Sequence, residues 1–408
     1  SSDLAGAGQA GCSQAAQAEC AARGRVGDDL AEHRVVVDPD LAPGDDADVG
    51  GICGIAESTK GLSAIGRFGI GFKSVYTFTD RPEVHSGGED FAIESYVWPT
   101  AIPVLDRLSD ETVFVLPLNA SDLVAHAEIV EGLRRLGART LLFLRQIEEI
   151  AWKVEDGPSG LYVRGKPEQI GENVRRVVLL GEEDGKPDVE ETWLLFSREA
   201  ITPDGALAGH VEIAFSIKPA DKSGRHSVQS VSDSPLVVFF PTVVSTNLGF
   251  LVQGPYRTTP SRDNVPPKDP WNQHLARETA SLLREALGSL RTMGLLDVDA
   301  LSSLPLDRTK FSEGRLFAPL FGVVLEAFRT EPLLPTFGAG HTSAGTAKLA
   351  RTQELRELFN PDQLAKVFGA GDAPLDAAVV RAKFASLAAE VAAARGRPCA
   401  PEELALGF

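Results

Sequence analysis

The chain has 408 residues, enough at roughly 100–200 residues per domain for two or three domains with well-filled cores. Its 57 acidic and 40 basic residues give a formal net charge of −17, which repels phosphate backbones at long range and excludes general nucleic-acid binding, while leaving room for a local basic cleft around a small anion. Hydrophobic residues at 43% fit a globular protein, no apolar run approaches the ~20 residues of a membrane span, and no basic start with an apolar stretch marks a signal peptide, so the expectation is a cytoplasmic chain without a membrane partner.

Residues 1–33 are atypical. The first 25 contain eight Ala and four Gly and hardly any large apolar side chain. Residues 1–50 carry ten acids and three bases. Such a stretch buries too little apolar surface to offset its ordering entropy, so residues 1–33 are expected to be disordered or an altered translation. Val35, Val36 and Val37 suggest a short strand. Residues 72–78 fit one or two helical turns, and 91–98 alternate as a strand. Residues 112–116 read as a buried strand stopped by Pro117. Residues 123–144 repeat Leu and Val at helical spacing and predict one long helix.

From 147 to 270 the texture is β-rich. Strands are expected at 150–154, 161–164, 177–180, 193–196, 210–218, 235–240 and 250–253, between Gly, Pro and Asp turns. In 210–218, Val211, Ile213, Phe215 and Ile217 share one face. Residues 182–184 and 221–234 read as solvated turn and polar loop. From 271 to 408 the pattern is helical, with helices at 275–290, 316–328, 350–358 and 375–395 and a loop at 338–345. No repeat is visible. The order is α+β, then β-rich, then α. Cys12, Cys20, Cys53 and Cys399 form no CxxC pair and no zinc spacing with histidine, so they read as free thiols. The seven histidines are scattered and read as surface or hydrogen-bonded groups.

The segment that carries chemistry is 55–76, IAESTKGLSAIGRFGIGFKSVY. Gly66, Gly69 and Gly71 form a G-x-x-G-x-G pattern just before the predicted helical turns. Glycines let main-chain N–H groups approach an anion, and a helix start adds partial positive charge. Lys60, Arg67 and Lys73 supply cations, and Ser58, Thr59, Ser63 and Ser74 supply hydroxyls. Phe72 separates Gly71 from Lys73, which excludes a Walker A loop, and the glycine spacing is the reverse of the Rossmann fingerprint. By spacing alone the stretch fits either a ligand-free glycine turn or a polyphosphate cradle.

The longer string, GICGIAESTKG followed by IGRFGIGFKSVY, resembles the glycine-rich lid of the GHKL ATPases, and most of all the sacsin-type branch, which is similar to the ninety-kilodalton heat-shock chaperone. The following TDRPEVHSGGEDFAIESYVWP resembles the sheet after that lid. The resemblance implies a Bergerat-type α/β sandwich over 34–146, incomplete at its N-terminus, then a β-rich middle segment and C-terminal helices. It implies ATP and magnesium as cofactors, with Gly66, Arg67, Gly69, Gly71, Phe72 and Lys73 near the phosphates and Ser58, Thr59 and Lys60 in a mobile lid. Thr112 stands where the family has a threonine near the adenine; Glu111 replaces the usual glycine before it, and a plain strand threonine is the alternative. Asp40 stands for the family's adenine-binding aspartate. The literal Asp48-Val49-Gly50 match lies too close to the lid, and a solvated acidic turn is the alternative for both.

The superfamily's first helix, with a glutamate base and a magnesium-binding asparagine, has no counterpart here, because residues 1–50 contain no asparagine. Three explanations stand: an altered translation of the N-terminal stretch, a pseudo-ATPase, or an unrelated fold. Downstream, LGFLVQGPYRTTPSRDNVP resembles the chaperones' middle-segment loop, which implies that Arg262 is the catalytic arginine that meets the ATP phosphate, with Gln253 and Asn264 nearby. A solvated loop arginine is the alternative. The expectation is an ATP-binding protein of the sacsin and heat-shock-chaperone type, with nucleotide and a protein client as partners and hydrolysis impaired. The alternative is a non-catalytic interaction scaffold.

Overall fold

The computed structural model describes residues 33–37, 49, 52–53, 72–118, 123–220, 224–259, 263–336 and 340–347. The predicted disordered stretch, His33 apart, and the predicted helices at 350–358 and 375–395 lie outside the described residues. The chain divides into two compact units, Ser1–Asp45 with Lys73–Asp122, and Asp46–Phe72 with Leu123–Phe408.

The first unit contains a five-stranded antiparallel sheet. Its strands are β1 (His33–Val37), β2 (Glu83–Ser86), β3 (Glu89–Glu94), β4 (Trp98–Ala101) and β5 (Thr112–Leu116), in the order β1-β5-β2-β3-β4. The predicted valine strand is β1, set against β5 with Val37 opposite Thr112. Val113 and Val115 of β5 share one face with Ala92 of β3, Phe91 and Ile93 take the other, and all five are buried, so apolar side chains pack on both faces. Gly87 has φ 55° and turns β2 into β3, as the first central position of a two-residue hairpin requires.

The strand predicted over 91–98 is in fact two. Ser95 (φ 51°) and Tyr96 (φ 71°) are both left-handed and reverse the chain between β3 and β4. Neither is Gly, Asn or Asp, so the sequence carried no turn signal there.

The second unit is built on a ten-stranded sheet. The strands are β6 (Glu149–Lys153), β7 (Ser159–Arg164), β8 (Glu168–Gly171), β9 (Val174–Glu183), β10 (Val189–Ile201), β11 (Leu207–Lys218), β12 (Ser227–Gln229), β13 (Pro235–Val238), β14 (Phe240–Ser245) and β15 (Leu251–Gln253). The main path runs β14-β13-β15-β11-β10-β9-β7-β6, with β12 on β11 and β8 on β9, and only β13–β15 is parallel. The helices are α1 (Leu123–Arg135), α2 (Pro270–Thr292), α3 (Val298–Leu301) and α4 (Ala318–Thr330), followed by a short pair, β16 (Leu334–Pro335) and β17 (His341–Thr342). Among the described residues, no helix is long and apolar enough to cross a membrane.

Both faces of the central strands are covered. Leu194, Phe196, Val211, Ile213 and Phe215 join Leu275, Leu283, Leu287 and Phe328 of α2 and α4 in one core. Trp193, Leu195 and Ala214 join Leu141, Phe143, Tyr162 and Leu179 in a second core on the other face. The β-rich segment and the helices that follow it therefore share a core across residue 270. Burial of each Leu- or Phe-sized side chain is worth about 1.5–3 kcal/mol, which makes this sheet the anchor of the unit. Asp269 caps α2 by accepting from Trp271 N at 2.9 Å and Asn272 N at 3.1 Å, and Pro270 occupies the first turn, where its missing N–H costs nothing.

Several expected boundaries differ. The helix predicted over 123–144 stops at Arg135; Gly137 is extended, and a separate 3-10 turn, Ala138–Leu141, buries Leu141. The strand predicted over 235–240 breaks at Phe239, which has φ 63°. The loop predicted over 221–234 contains β12, paired to the end of β11. The loop predicted over 338–345 contains β17. The turn predicted at 182–184 is partly strand: Glu183 ends β9 with its side chain only 5% exposed, taking a hydrogen bond from the Tyr162 hydroxyl at 2.8 Å and an ion pair from Lys186 at 2.8 Å.

Candidate functional site

Asp40, Ser58, Thr59, Lys60, Gly66, Arg67, Gly69, Gly71 and Arg262 lie outside the described residues. Phe72 and Lys73 open the 3-10 helix Phe72–Thr77, directly after the glycines. The helical turns predicted there are thus 3-10 rather than α. Six residues of 3-10 helix align few peptide dipoles, so the helix-dipole part of the anion argument falls away and the glycine main chain and Lys73 carry it.

The Lys73 ammonium donates to the main-chain oxygen of Tyr96 at 2.5 Å. It also sits 5.7 Å from the centre of the Tyr76 ring, within cation–π range. The Tyr76 and Tyr96 rings lie 4.5 Å apart, tilted by 44°. The left-handed turn at Ser95–Tyr96 is what aims that carbonyl at Lys73.

Thr112 lies on β5, between β1 and β2, with Ser86 directly opposite. Its Oγ1 is 2.7 Å from Ser86 Oγ. The Thr112 hydroxyl keeps acceptor lone pairs beyond this bond, which a polar ring edge can use. Glu111, at the position where the family has glycine, accepts from Leu108 N at 3.1 Å and closes the turn that feeds β5.

On the opposite face of β2 and β3 lies a buried ionic cluster that residue spacing alone did not single out. His85 is 3% exposed, and its Nδ1 is 2.6 Å from Asp90 Oδ1. Arg107 donates to the same oxygen at 3.2 Å and to Gly87 O at 2.8 Å. The signal was present: His85 and Asp90 flank the Gly87-Gly88 dipeptide, a hairpin mark that places them opposite each other.

In the second unit, Gln253 is buried on β15 and Asn264 is exposed. Asn264 N donates to Thr259 Oγ1 at 3.2 Å, and Thr259 N donates to Asn264 O at 3.0 Å. Thr259 Oγ1 also bonds Asp263 Oδ1 at 2.6 Å. Asn264 thus closes its own loop, and Gln253 lies opposite Glu212 across the β11–β15 pair; their expected neighbour, Arg262, is outside the described residues.

Fit to the implied cofactors is uneven. Lys73 and the Ser86–Thr112 hydroxyls suit a polyphosphate and a base. For magnesium, the described residues contain no group of three or more His, Cys, Asp or Glu able to hold a metal ion. That expectation rests on the resemblance alone.

No family model matches the chain. It is similar to Protein NO VEIN of Arabidopsis thaliana, with 29% identity over 269 residues, or 58% of this chain. The match spans 9% of that protein's length.

Proposed function

We propose that the chain is a nucleotide-binding module of the GHKL type, of the sacsin and heat-shock-chaperone branch, that takes ATP through the 66–73 glycine segment. The observation that carries this reading is the G-x-x-G-x-G string running directly into a 3-10 helix whose second residue, Lys73, sets its ammonium against the Tyr96 main-chain oxygen. When bound, ATP with magnesium supplies the energy of phosphoryl transfer. The chain's own share is to cradle phosphate oxygens with glycine N–H groups and Lys73, and to offer the Thr112 hydroxyl toward the base. Arg262 meets the terminal phosphate in this reading. Hydrolysis by the sequence given is impaired in this reading, because its residues 1–50 carry no asparagine for the magnesium position and no helix motif to hold a glutamate base.

Equilibrium titration with a fluorescent ATP analogue tests the reading. The wild-type chain binds, and Lys73→Ala weakens binding about tenfold or more, the loss of one charge-assisted phosphate contact. Equal affinities in the two proteins remove Lys73 from the site. A second reading, a non-catalytic interaction scaffold, is favoured by one feature. Edge strand β4 exposes all four of its residues, and Trp98 is 68% exposed.

A further inference from the structure

A cavity of about 160 Å³ opens on the ten-stranded sheet, beside Trp193 of the second core. Strand register builds it. Trp193 of β10 lies opposite Ser216 of β11, and Ser216 lies opposite Gln229 of β12, so these three and Glu191 share one face. Arg139, from the 3-10 turn Ala138–Leu141, reaches the same place. Its guanidinium carbon is 5.2 Å from the centre of the Trp193 ring, and it takes Glu191 in a fork, Nε to Oε2 at 2.8 Å and Nη2 to Oε1 at 2.7 Å. Arg139, Glu191, Ser216, Gln229 and Ser232 all line the cavity.

Two features of the lining point to a ligand. The first is open hydrogen bonding. Ser216 is only 7% exposed. Among the described residues, nothing bonds its hydroxyl, the Gln229 carboxamide, the Ser232 hydroxyl or Arg139 Nη1. Polar groups this deep are ordinarily paired, and here only a guest in the cavity can pair them. Water does so when the cavity is otherwise empty, and a ligand that presents hydroxyls replaces that water bond for bond. The second feature is charge. Glu191 accepts from Arg139 and from Trp193 Nε1 at 3.0 Å, so the ion pair is neutral and its carboxylate is occupied. Glu190, one residue earlier, directs its side chain to the other face by strand alternation. The lining thus holds no net cation for an anionic group and no free carboxylate for an ammonium.

We propose that Arg139, Ser216, Gln229 and Ser232 bind a neutral ring polyol, a monosaccharide or cyclitol. Volume sets the size: a cavity of about 150 Å³ admits benzene, so this one admits a single six-membered ring. Polarity sets the substituents. Each ring hydroxyl both donates and accepts, as do the serine hydroxyls and the carboxamide that face it. A bare hydrocarbon ring would displace the water and leave the Ser216 hydroxyl unpaired, which is costly. All four residues belong to the second unit, and the site stands whether or not the glycine segment binds ATP.

NMR titration of the whole chain with D-glucose, D-mannose, myo-inositol and cyclohexanol tests this. At least one of the three polyols binds in the millimolar range, and cyclohexanol, a ring of the same size with one hydroxyl, binds at least about tenfold more weakly. Ser216→Ala removes a hydroxyl that the fold itself does not bond, and Gln229→Leu changes an exposed residue, so both keep the wild-type unfolding midpoint. Each weakens the polyol by about threefold or more. No polyol binding in the millimolar range, cyclohexanol binding as tightly as the polyols, or polyol binding that survives both substitutions overturns the proposal.

Discussion

Asn272 holds both main-chain groups of Arg257. Its Oδ1 accepts from Arg257 N at 2.7 Å, and its Nδ2 donates to Arg257 O at 3.0 Å. The same Nδ2 donates to Pro266 O at 3.0 Å, so one fully buried side chain in the first turn of α2 ties the two ends of the 257–266 loop together.

Asn272→Leu keeps the volume and removes all three bonds. The expected cost is about 2 kcal/mol, from main-chain groups left without partners. Urea unfolding reads the cost, and trypsin cleavage after Arg257 reads the freed loop. Unchanged stability and unchanged cleavage would show that the clamp is dispensable.

Gly249 marks a close approach of main chains. A Cβ there would lie 2.4 Å from Ser303 Cα and 2.5 Å from Ser230 Oγ, and the Ser303 main chain cannot rotate away. Gly249 N also donates to Ser303 O at 2.9 Å. Gly249→Ala is expected to destabilise by about 1–3 kcal/mol through overpacking. Gly288→Ala, on α2 with nothing within 4 Å of the new Cβ, is expected to stabilise by about 0.5–1 kcal/mol. Thermal unfolding of the two variants should move in opposite directions.

Glu183 sets a pH dependence. Burial pushes its carboxyl up, but hydrogen bonds from Lys186 and Tyr162 and the charges of Lys186 and Arg134 outweigh burial and hold it below the ordinary 4.5. A carboxyl with a lowered folded-state pKa stabilises the fold above its unfolded value, and that stability is lost as pH falls through the folded value. The wild-type advantage over Glu183→Gln should be full at about pH 6 and shrink steadily below about pH 4.5. A gap that stays constant down to about pH 3 would assign the effect to packing rather than charge.

Much of this architecture is legible in residue patterns. Thr112–Leu116 and the helix through Leu275–Leu290 follow directly from apolar spacing. The position of Glu212 does not: an alternating strand predicts a solvated polar face, yet the second core covers that face and closes over the carboxylate. Nor does the Ser95–Tyr96 reversal, because left-handed conformation at Ser and Tyr depends on tertiary contacts rather than on residue type. Of the candidate site, the glycine spacing and Lys73 are readable in sequence, whereas the Tyr96 carbonyl that holds Lys73 lies 23 residues away and has no sequence mark.

Hydrolysis by this chain should be negligible even when ATP binds. A general base contributes roughly 10²–10⁴-fold, and residues 1–50 lack the asparagine that would anchor magnesium in the implied motif. Phosphate release assayed with magnesium reads this directly. Clear turnover that disappears in Lys73→Ala would show that a base operates elsewhere in the chain.

The central claim is that the 66–73 segment binds the phosphates of ATP, and calorimetric titration of wild-type chain and the Gly69→Val, Gly71→Val double variant with magnesium–ATP tests it most directly. Side chains at those positions would block the main-chain approach to phosphate. The expected result is measurable wild-type affinity, a loss of about tenfold or more in the variant, and equal unfolding midpoints. Undiminished affinity in the double variant, or a wild-type chain that binds no ATP, would contradict the claim.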